Sequence, residues 1–191
     1  PSNPTGAVYT AEELRALGRI LLDFQNVLII ADQIYDRLVY DGGQAPSIVR
    51  VMPELVDRTI IIDGVSKAYA ATGLRLGWAA GPAALIKVMT TIQGHTTSGA
   101  CSIIQHGALA MLRAPERDKE IATMVTAYQT RRDTLCQALQ KLKNMHVFKP
   151  AGAFYLWCDI SAYLNADRPD DSSFAQQLLE RQGLAVVPGS A

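Results

Sequence analysis

The sequence predicts an α/β fold, in which a mostly parallel sheet with flanking helices is followed by a smaller α+β unit. Two short apolar runs rich in branched residues, Val27–Ala31 and Ile60–Ile62, are typical of strands buried on both faces of a parallel sheet. Each run ends in a polar turn, and a helical pattern precedes the first. Because open α/β sheets bind ligands beyond the carboxyl ends of their strands, we expect a functional site at these two turns.

Helical signals surround the strands. Residues Thr10–Glu13 have the sequence of a capping box, and apolar spacing predicts a helix over 11–24. A third candidate strand and two helices follow at 77–80, 83–93 and 102–113. A longer helix is predicted over 116–143, with apolar side chains on one face and charged side chains, among them Arg132, on the other.

We expect a smaller α+β unit from about residue 115 onward. It contains a predicted strand near 153–158 and a helix near 172–182, which a glycine ends. The closing segment 184–189 reads as a strand entering a turn, and the opening residues read as a loop. We therefore expect both ends to be cut from a longer protein.

Composition argues against several classes of function. The 191 residues carry 18 basic and 18 acidic side chains, and no segment concentrates Lys and Arg as a nucleic-acid backbone requires. No apolar run approaches the roughly 20 residues that span a bilayer, so we expect no membrane partner. Three widely spaced cysteines suggest neither a disulfide framework nor a zinc site, and they favour the cytoplasm. His95, His106 and His146 lack metal-ligand spacing, so no metal site is predicted.

Lys67 is the most informative residue. It lies in a turn after the second apolar run, among the small residues Gly64, Ser66 and Ala68, which is an unusual position for a solvated charge. A surface lysine is one interpretation. The other is an amine nucleophile that forms an imine with a carbonyl group.

Asp32 and Tyr35 follow the first apolar run, so the fold can bring them near Lys67. Alone, they are compatible with an ordinary strand-end carboxylate and a packing aromatic. Beside an imine-forming lysine they gain a joint role. An aspartate can keep a pyridine nitrogen protonated, and a tyrosine can hydrogen-bond a phenolate oxygen. Arg75 adds a permanent cation eight residues after Lys67.

Three ordered motifs resemble those of the class I/II aminotransferases, the aspartate aminotransferase-like group of fold type I pyridoxal phosphate enzymes. The motifs are Asn3–Gly6, Asp32–Tyr35 and Ser66–Trp78, in that family's order and approximate spacing. The last is similar to the family's lysine signature. Pro150–Tyr155 and Val187–Gly189 extend the resemblance over essentially the whole chain.

The resemblance implies a large cofactor-binding domain, of which residues 1–114 form the C-terminal part, and a truncated small α+β domain at 115–191. The implied activity is transamination between an α-amino acid and a 2-oxo acid, with pyridoxal phosphate held as a lysine Schiff base. A homodimer is also implied, with the region matching His95–Ser98 contributing to the partner's phosphate site; a plain helix-connecting loop is the other interpretation. Because the family's substrate-binding groups fall outside residues 1–191, we expect this segment alone to be inactive.

Individual roles follow from the same resemblance. Lys67 would hold the cofactor and move the substrate α-proton, and Asp32 would pair with the pyridine nitrogen. Asn3 and Tyr35 would hydrogen-bond the ring oxygen O3′. Arg75 would grip the phosphate, a role that suits a planar, permanently charged fork.

Ser66 departs from the family pattern. Many relatives place a phosphate-binding serine three residues before the lysine, where this sequence has Gly64. Ser66 either contributes its hydroxyl instead or does not contact the phosphate.

Two alternatives to transamination stay open. Carbon–sulfur lyases and cyclopropane-forming synthases of this fold use the same cofactor residues. Some transcription regulators carry an aminotransferase-like sensing domain behind a DNA-binding one, and a winged-helix segment preceding Pro1 would favour that reading.

Overall fold

The computed structural model describes residues 1–191, and its fold is α/β, as predicted. The helices are α1 (Ala11–Leu22), α2 (Ile48–Val51), α3 (Ala83–Thr96), α4 (Ser102–Arg113), α5 (Arg117–Leu139) and α6 (Asp171–Gln182). The strands are β1 (Ile29–Asp32), β2 (Thr59–Gly64), β3 (Gly77–Ala80), β4 (His146–Phe148) and β5 (Trp157–Asp159). Short 3-10 helices cover Pro53–Arg58, Thr72–Leu74 and Ser161–Tyr163. No helix combines the length and the apolar character that crossing a membrane requires.

A three-stranded sheet in the order β1-β2-β3 lies in the first half of the chain. β1 and β2 are parallel, with Ile29 opposite Thr59, whereas β2 and β3 are antiparallel, with Ile61 opposite Ala80. The prediction of a mostly parallel sheet is therefore wrong for these strands, because the sheet is mixed. The connection from β2 to β3 contains no α-helix to carry the chain back across the sheet, so the two strands pair antiparallel.

β1 is more exposed than its apolar sequence suggests. Ile29 and Ala31 pack against the first core, whose buried members are Leu14, Ile48, Met52 and Leu55. Ile30 points to the opposite face, since side chains alternate along a strand, and it is 71% exposed. The expectation of burial on both faces is wrong for β1 in this chain.

A second core joins the segment after β1 to the segment before β5. Its buried members are Tyr35, Leu38 and Ala153, against which Ile34, Met124, Val125 and Tyr155 pack. The Ala153 N–H donates to the Leu38 carbonyl at 2.8 Å, and the Tyr40 N–H donates to the Ala151 carbonyl at 2.9 Å. Residues far apart in sequence are thus fixed together at the turn that follows β1.

α5 is shorter than predicted, and its faces differ from the prediction. Arg132, expected on the charged outer face, is only 4% exposed. It shares a buried stripe with Ile121 and Cys136, since residues 11 and 4 positions apart lie on one side of a helix. Its guanidinium donates to both carboxylate oxygens of Asp41, at 2.8 and 3.0 Å, and to the Pro150 carbonyl at 3.1 Å. The buried charge is therefore paired and hydrogen-bonded.

The second sheet pairs β4 and β5 antiparallel, with Val147 opposite Cys158. The predicted strand at 153–158 begins only at Trp157, because the residues before it bond to the turn after β1. β4 was not predicted, since three residues carry no periodic signal. The segment 184–189 is not a strand, and no strand of the chain pairs with it.

Candidate active site

Lys67 lies three residues beyond the carboxyl end of β2. Val65 and Ala68, on either side of it, are buried and anchor the loop. The Lys67 Nζ lies 5.7 Å from the ring centroid of Tyr35 and 5.5 Å from that of Phe154. Lys67 forms none of the chain's salt bridges. Its amine is thus held between two aromatic rings with no carboxylate partner.

Tyr35 is the predicted site residue that the structure brings next to Lys67. It is 5% exposed, and its hydroxyl forms a hydrogen bond with the hydroxyl of Tyr155. Burial is the largest cause that raises the pKa of Tyr35 above its usual value, and the bond to Tyr155 and the charge of Asp32 add to it. Tyr35 is therefore a neutral hydrogen-bond donor or acceptor at physiological pH.

Asp32 ends β1 at the same edge of the sheet, because β1 and β2 run parallel. Its carboxylate is exposed and accepts a bond from the Ile34 N–H at 3.0 Å, which orients it at the strand end. Asp63, at the end of β2, is a further carboxylate near this edge. Burial raises the pKa of Asp63 to about 6, and the charges of Asp36 and Asp32 act in the same direction.

Gly64 has a steric reason to be glycine. A Cβ at this position would lie 2.9 Å from the Leu76 carbonyl oxygen and 3.0 Å from the Gly77 Cα. Gly77 is the first residue of the neighbouring strand β3, and Leu76 directly precedes it. A serine at this position therefore requires the backbone to shift. Ser66, which is half-buried, carries the nearest hydroxyl in the loop that could replace it.

Arg75 lies at the end of this loop, two residues before β3 begins. Its backbone is left-handed, with a φ of 51°, a conformation that is uncommon outside glycine and clusters at ligand sites. Its side chain is exposed and donates to the Thr72 carbonyl at 3.1 Å. It also lines an open cleft of about 820 Å³ between β3 and α3, which Lys67 does not line.

Asn3 lies in a tight turn, where the Gly6 N–H donates to the Ser2 carbonyl at 2.8 Å. The Gly6 carbonyl accepts bonds from the N–H groups of Ala151 and Gly152, at 3.0 and 2.9 Å. This attaches the loop to the segment that also carries Phe154 and Tyr155. The Asn3 side chain itself is exposed.

Sequence reasoning missed Phe154 and Tyr155 as members of the site. The signal was present, because the Pro150–Tyr155 motif formed part of the resemblance, but the segment was read only as a strand. The Phe154 ring lies 5.5 Å from that of Tyr35 and 4.9 Å from that of Tyr155. Three aromatic rings and one lysine amine therefore form the centre of the candidate site.

His95 and Thr96, predicted in a connecting loop, form the last turn of α3, which runs to Thr96. Thr97 and Ser98 follow it and are exposed, as are the two helical residues. No group of three or more His, Cys, Asp or Glu side chains is placed to hold a metal ion. The groups gathered around Lys67 are thus aromatic rings with their phenols, and the carboxylates of Asp32 and Asp63 lie at the same edge of the sheet.

The family model described as aminotransferase class I and II matches residues 1–191. The chain is 44% identical over 197 residues to an aspartate/prephenate aminotransferase of Cereibacter sphaeroides, covering all of this chain and 49% of that protein. It is 43% identical over 192 residues to an aspartate aminotransferase of Geobacillus stearothermophilus, with 48% of that protein covered. The chain spans about half the length of the curated relatives it matches.

Solved structures agree with these sequence relatives. A crystal structure of the aspartate aminotransferase from Rhizobium meliloti superimposes with a TM-score of 0.93 and 36% identity, covering all of this chain and 48% of that one. The aspartate aminotransferase from Thermus thermophilus with maleate superimposes with a TM-score of 0.88 and 37% identity, with 47% of that chain covered.

Proposed function

The chain belongs to the class I and II aminotransferase family, and from this premise we propose that the protein is a pyridoxal phosphate-dependent transaminase that uses Lys67. The observation that carries the proposal is the position of the Lys67 amine. It lies beyond the carboxyl end of β2, unpaired with any carboxylate and within 6 Å of the Tyr35 and Phe154 ring centroids. An amine so placed is accessible to a planar carbonyl compound.

The residues present fit pyridoxal phosphate. When bound, this group supplies an aldehyde that condenses with an amine and a ring that accepts the electrons left when an α-proton departs. Asp32 offers an oriented carboxylate for the ring nitrogen, and Tyr35 a phenol for the ring oxygen. The Arg75 guanidinium donates to one carbonyl, and its other N–H groups could bind a phosphate.

We propose the following roles for individual residues. Lys67 would hold the cofactor, and its Nζ, once the substrate amine has replaced it there, would take the substrate α-proton and later release it. Asp32 keeps a proton on the ring nitrogen. Tyr35 and Asn3 hydrogen-bond the ring oxygen. Arg75 binds the phosphate.

Ser66 is proposed as a second phosphate ligand. The support is steric, since a serine at Gly64 would press on the Leu76 carbonyl and the Gly77 backbone. A hydroxyl two positions later would supply a donor without that clash.

We further propose that residues 1–114 belong to the large cofactor-binding domain and residues 115–191 to the small domain. The protein is proposed to act as a homodimer, with His95–Ser98 directed to the partner's phosphate site. Exposed apolar side chains on α3, Val88 at 57% and Ile92 at 59%, support an interface on this helix. The three cysteines are free, which supports a reducing cytoplasmic setting.

The names of the relatives suggest the substrate. We propose L-aspartate as the amino donor and a 2-oxo acid, prephenate among the candidates, as the acceptor. An acidic amino acid carries the α-amino group that transamination requires and a second carboxylate by which it can be selected.

The test is an amino-transfer assay on the full-length protein with pyridoxal phosphate, L-aspartate and 2-oxoglutarate. We expect oxaloacetate and glutamate to form in equal amounts, and the Lys67→Ala variant to lose this exchange. Release of ammonia without glutamate would indicate elimination instead. Unchanged exchange by Lys67→Ala would overturn the proton-transfer role of Lys67.

A further inference from the structure

The hydroxyl groups of Tyr35 and Tyr155 meet in a hydrogen bond between segments that are 120 positions apart in sequence. The two rings pack edge to face, with centroids 5.8 Å apart and an interplanar angle of 74°. Tyr35 in turn lies beside Lys67, whose Nζ is 5.7 Å from its ring centroid. Tyr155 is therefore hydrogen-bonded to Tyr35, the residue whose ring faces the Lys67 amine.

Several contacts hold Tyr155 in place. The Ala153 N–H donates to the Leu38 carbonyl at 2.8 Å, and the Ala153 carbonyl accepts a bond from the Tyr40 hydroxyl. The Phe154 ring fills the inner side, with its centroid 4.9 Å from that of Tyr155. The Tyr155 hydroxyl is thus presented to its partner by a fixed backbone and a packed ring.

A phenol hydroxyl has one proton to donate and lone pairs that accept. Only one of the two hydroxyls can therefore be the donor in their shared bond. If Tyr155 donates, the proton of Tyr35 stays available for an acceptor beside Lys67. If Tyr35 donates, its proton is used within the pair.

We propose that Tyr155 is a positioning residue that donates to the Tyr35 oxygen, so that Tyr35 directs its own proton toward the ring oxygen of a cofactor held by Lys67. This inference rests on the proposed function. A hydroxyl that accepts one hydrogen bond becomes a stronger donor in the next, because linked bonds polarise each other. The ionisable groups facing Tyr35 are Asp32, Lys67 and Tyr155. On the α5 side, Met124 and Val125 pack against this core, and Tyr128, Arg131 and Arg132 line a pocket together with Tyr155.

The test is a spectroscopic titration of the full-length protein loaded with pyridoxal phosphate. A hydrogen bond donated to the ring oxygen stabilises the negative charge on that oxygen. The oxygen then attracts the proton on the adjacent lysine nitrogen less strongly. The loss of donation therefore raises the pH midpoint of the cofactor's visible absorption change. For Tyr155→Phe we expect an upward shift of about 0.5–1 pH unit, the size that the loss of one hydrogen bond supports.

Three further variants separate positioning from packing. Tyr35→Phe should raise the midpoint more, and the Tyr35→Phe/Tyr155→Phe double variant should match Tyr35→Phe alone, since Tyr155 acts only through Tyr35. Tyr163→Phe is the matched control, because its hydroxyl donates to the Lys143 carbonyl away from the site. Its midpoint should equal that of the unaltered protein.

A variant in which the Tyr155 hydroxyl is retained but donates more strongly should shift the pH midpoint in the opposite direction. Replacing the Tyr155 side chain by 3-fluorotyrosine, a more acidic phenol, should lower the midpoint. An unchanged midpoint in both Tyr155 variants, or shifts that add fully in the double variant, would overturn the proposal for Tyr155 alone. Failure of the unaltered protein to show any lysine-bound cofactor absorption would overturn the proposed function and this inference together.

Discussion

Two arginines of this chain illustrate how differently one side chain can be used. Arg132 is 4% exposed and bonds to Asp41, Asp133 and the Pro150 carbonyl. Arg75 is exposed, sits on a left-handed backbone and bonds to one carbonyl, that of Thr72.

The two side chains separate a role in stability from a role in binding. The Arg132 guanidinium is satisfied within the chain, and it stacks 4.7 Å over the Tyr40 ring, so it fastens α5 to the turn after β1. The Arg75 guanidinium has donors left over and faces an open cleft. We infer that the first contributes to folding and the second to binding an anion.

Replacing Arg132 is expected to have the largest effect on folding. For Arg132→Met we expect a loss of about 2 kcal/mol in the free energy of unfolding, since a buried guanidinium loses its hydrogen bonds to the exposed Asp41 carboxylate and the Pro150 carbonyl is left unpaired. Chemical denaturation of the full-length protein measures this loss. The matched control is Arg131→Met, an exposed neighbour on α5, for which we expect a change within about 0.5 kcal/mol. Equal effects of the two variants would contradict the role of Arg132.

Replacing Arg75 tests the binding side. For Arg75→Met we expect the affinity for pyridoxal phosphate to fall roughly 30-fold, about 2 kcal/mol, because a charge-assisted fork to phosphate is lost. The unfolding free energy of the protein without cofactor should change by less than about 0.5 kcal/mol. Equilibrium dialysis and denaturation measure the two quantities.

Two variants refine that test. Arg75→Lys keeps the charge but not the planar fork, so its affinity should fall between those of the unaltered protein and Arg75→Met. Arg113→Met, at the exposed end of α4, is the control and should bind normally. A destabilised Arg75→Met protein with normal cofactor affinity would contradict the binding role of Arg75.

Asp63, near the end of β2, gives a smaller effect on stability that depends on pH. Burial raises its pKa to about 6 in the folded protein, so the folded state binds this proton more tightly than the unfolded chain. Its contribution to stability is therefore full below about pH 4 and is lost as pH rises to about 6. Asp63→Asn keeps an acceptor for the Gly64 N–H and avoids this loss.

We expect Asp63→Asn to gain about 1 kcal/mol in the free energy of unfolding at pH 8 and nothing at pH 4. Denaturation curves at the two pH values measure the difference. The exposed Asp57→Asn serves as control and should show no such pH dependence. A gain of equal size at both pH values would exclude proton binding as the cause.

The local features of the fold were predictable from sequence. The capping box of α1 is formed as predicted, with Thr10 accepting from the Glu13 N–H at 3.1 Å and Glu13 accepting from the Thr10 N–H at 2.8 Å. The positions of Asp32 at the end of one strand and of Lys67 beyond the end of another were also predicted, and the parallel pairing of β1 and β2 places both strand ends at one edge of the sheet. These features depend on residues that are close in sequence or on a general property of parallel strands.

The features that the sequence did not predict depend on contacts between residues that are far apart in the chain. Arg132 was predicted exposed because a charge alone favours solvent, and only the position of Asp41 makes its burial possible. The Pro150–Tyr155 motif is recognisable in the sequence, but the bond from Tyr155 to Tyr35 is not, because it requires the turn after β1 to lie beside the motif. The reason for Gly64 likewise appears only when β3 pairs back onto β2.

Lys67 is the residue that we propose to hold the cofactor. The direct measurement is to incubate the full-length protein with pyridoxal phosphate, reduce it with borohydride, digest it and map the modified peptide by mass spectrometry. We predict one stoichiometric pyridoxyl label on Lys67 and its loss in Lys67→Ala. A stoichiometric label on another lysine, such as Lys87 on α3, would contradict the claim.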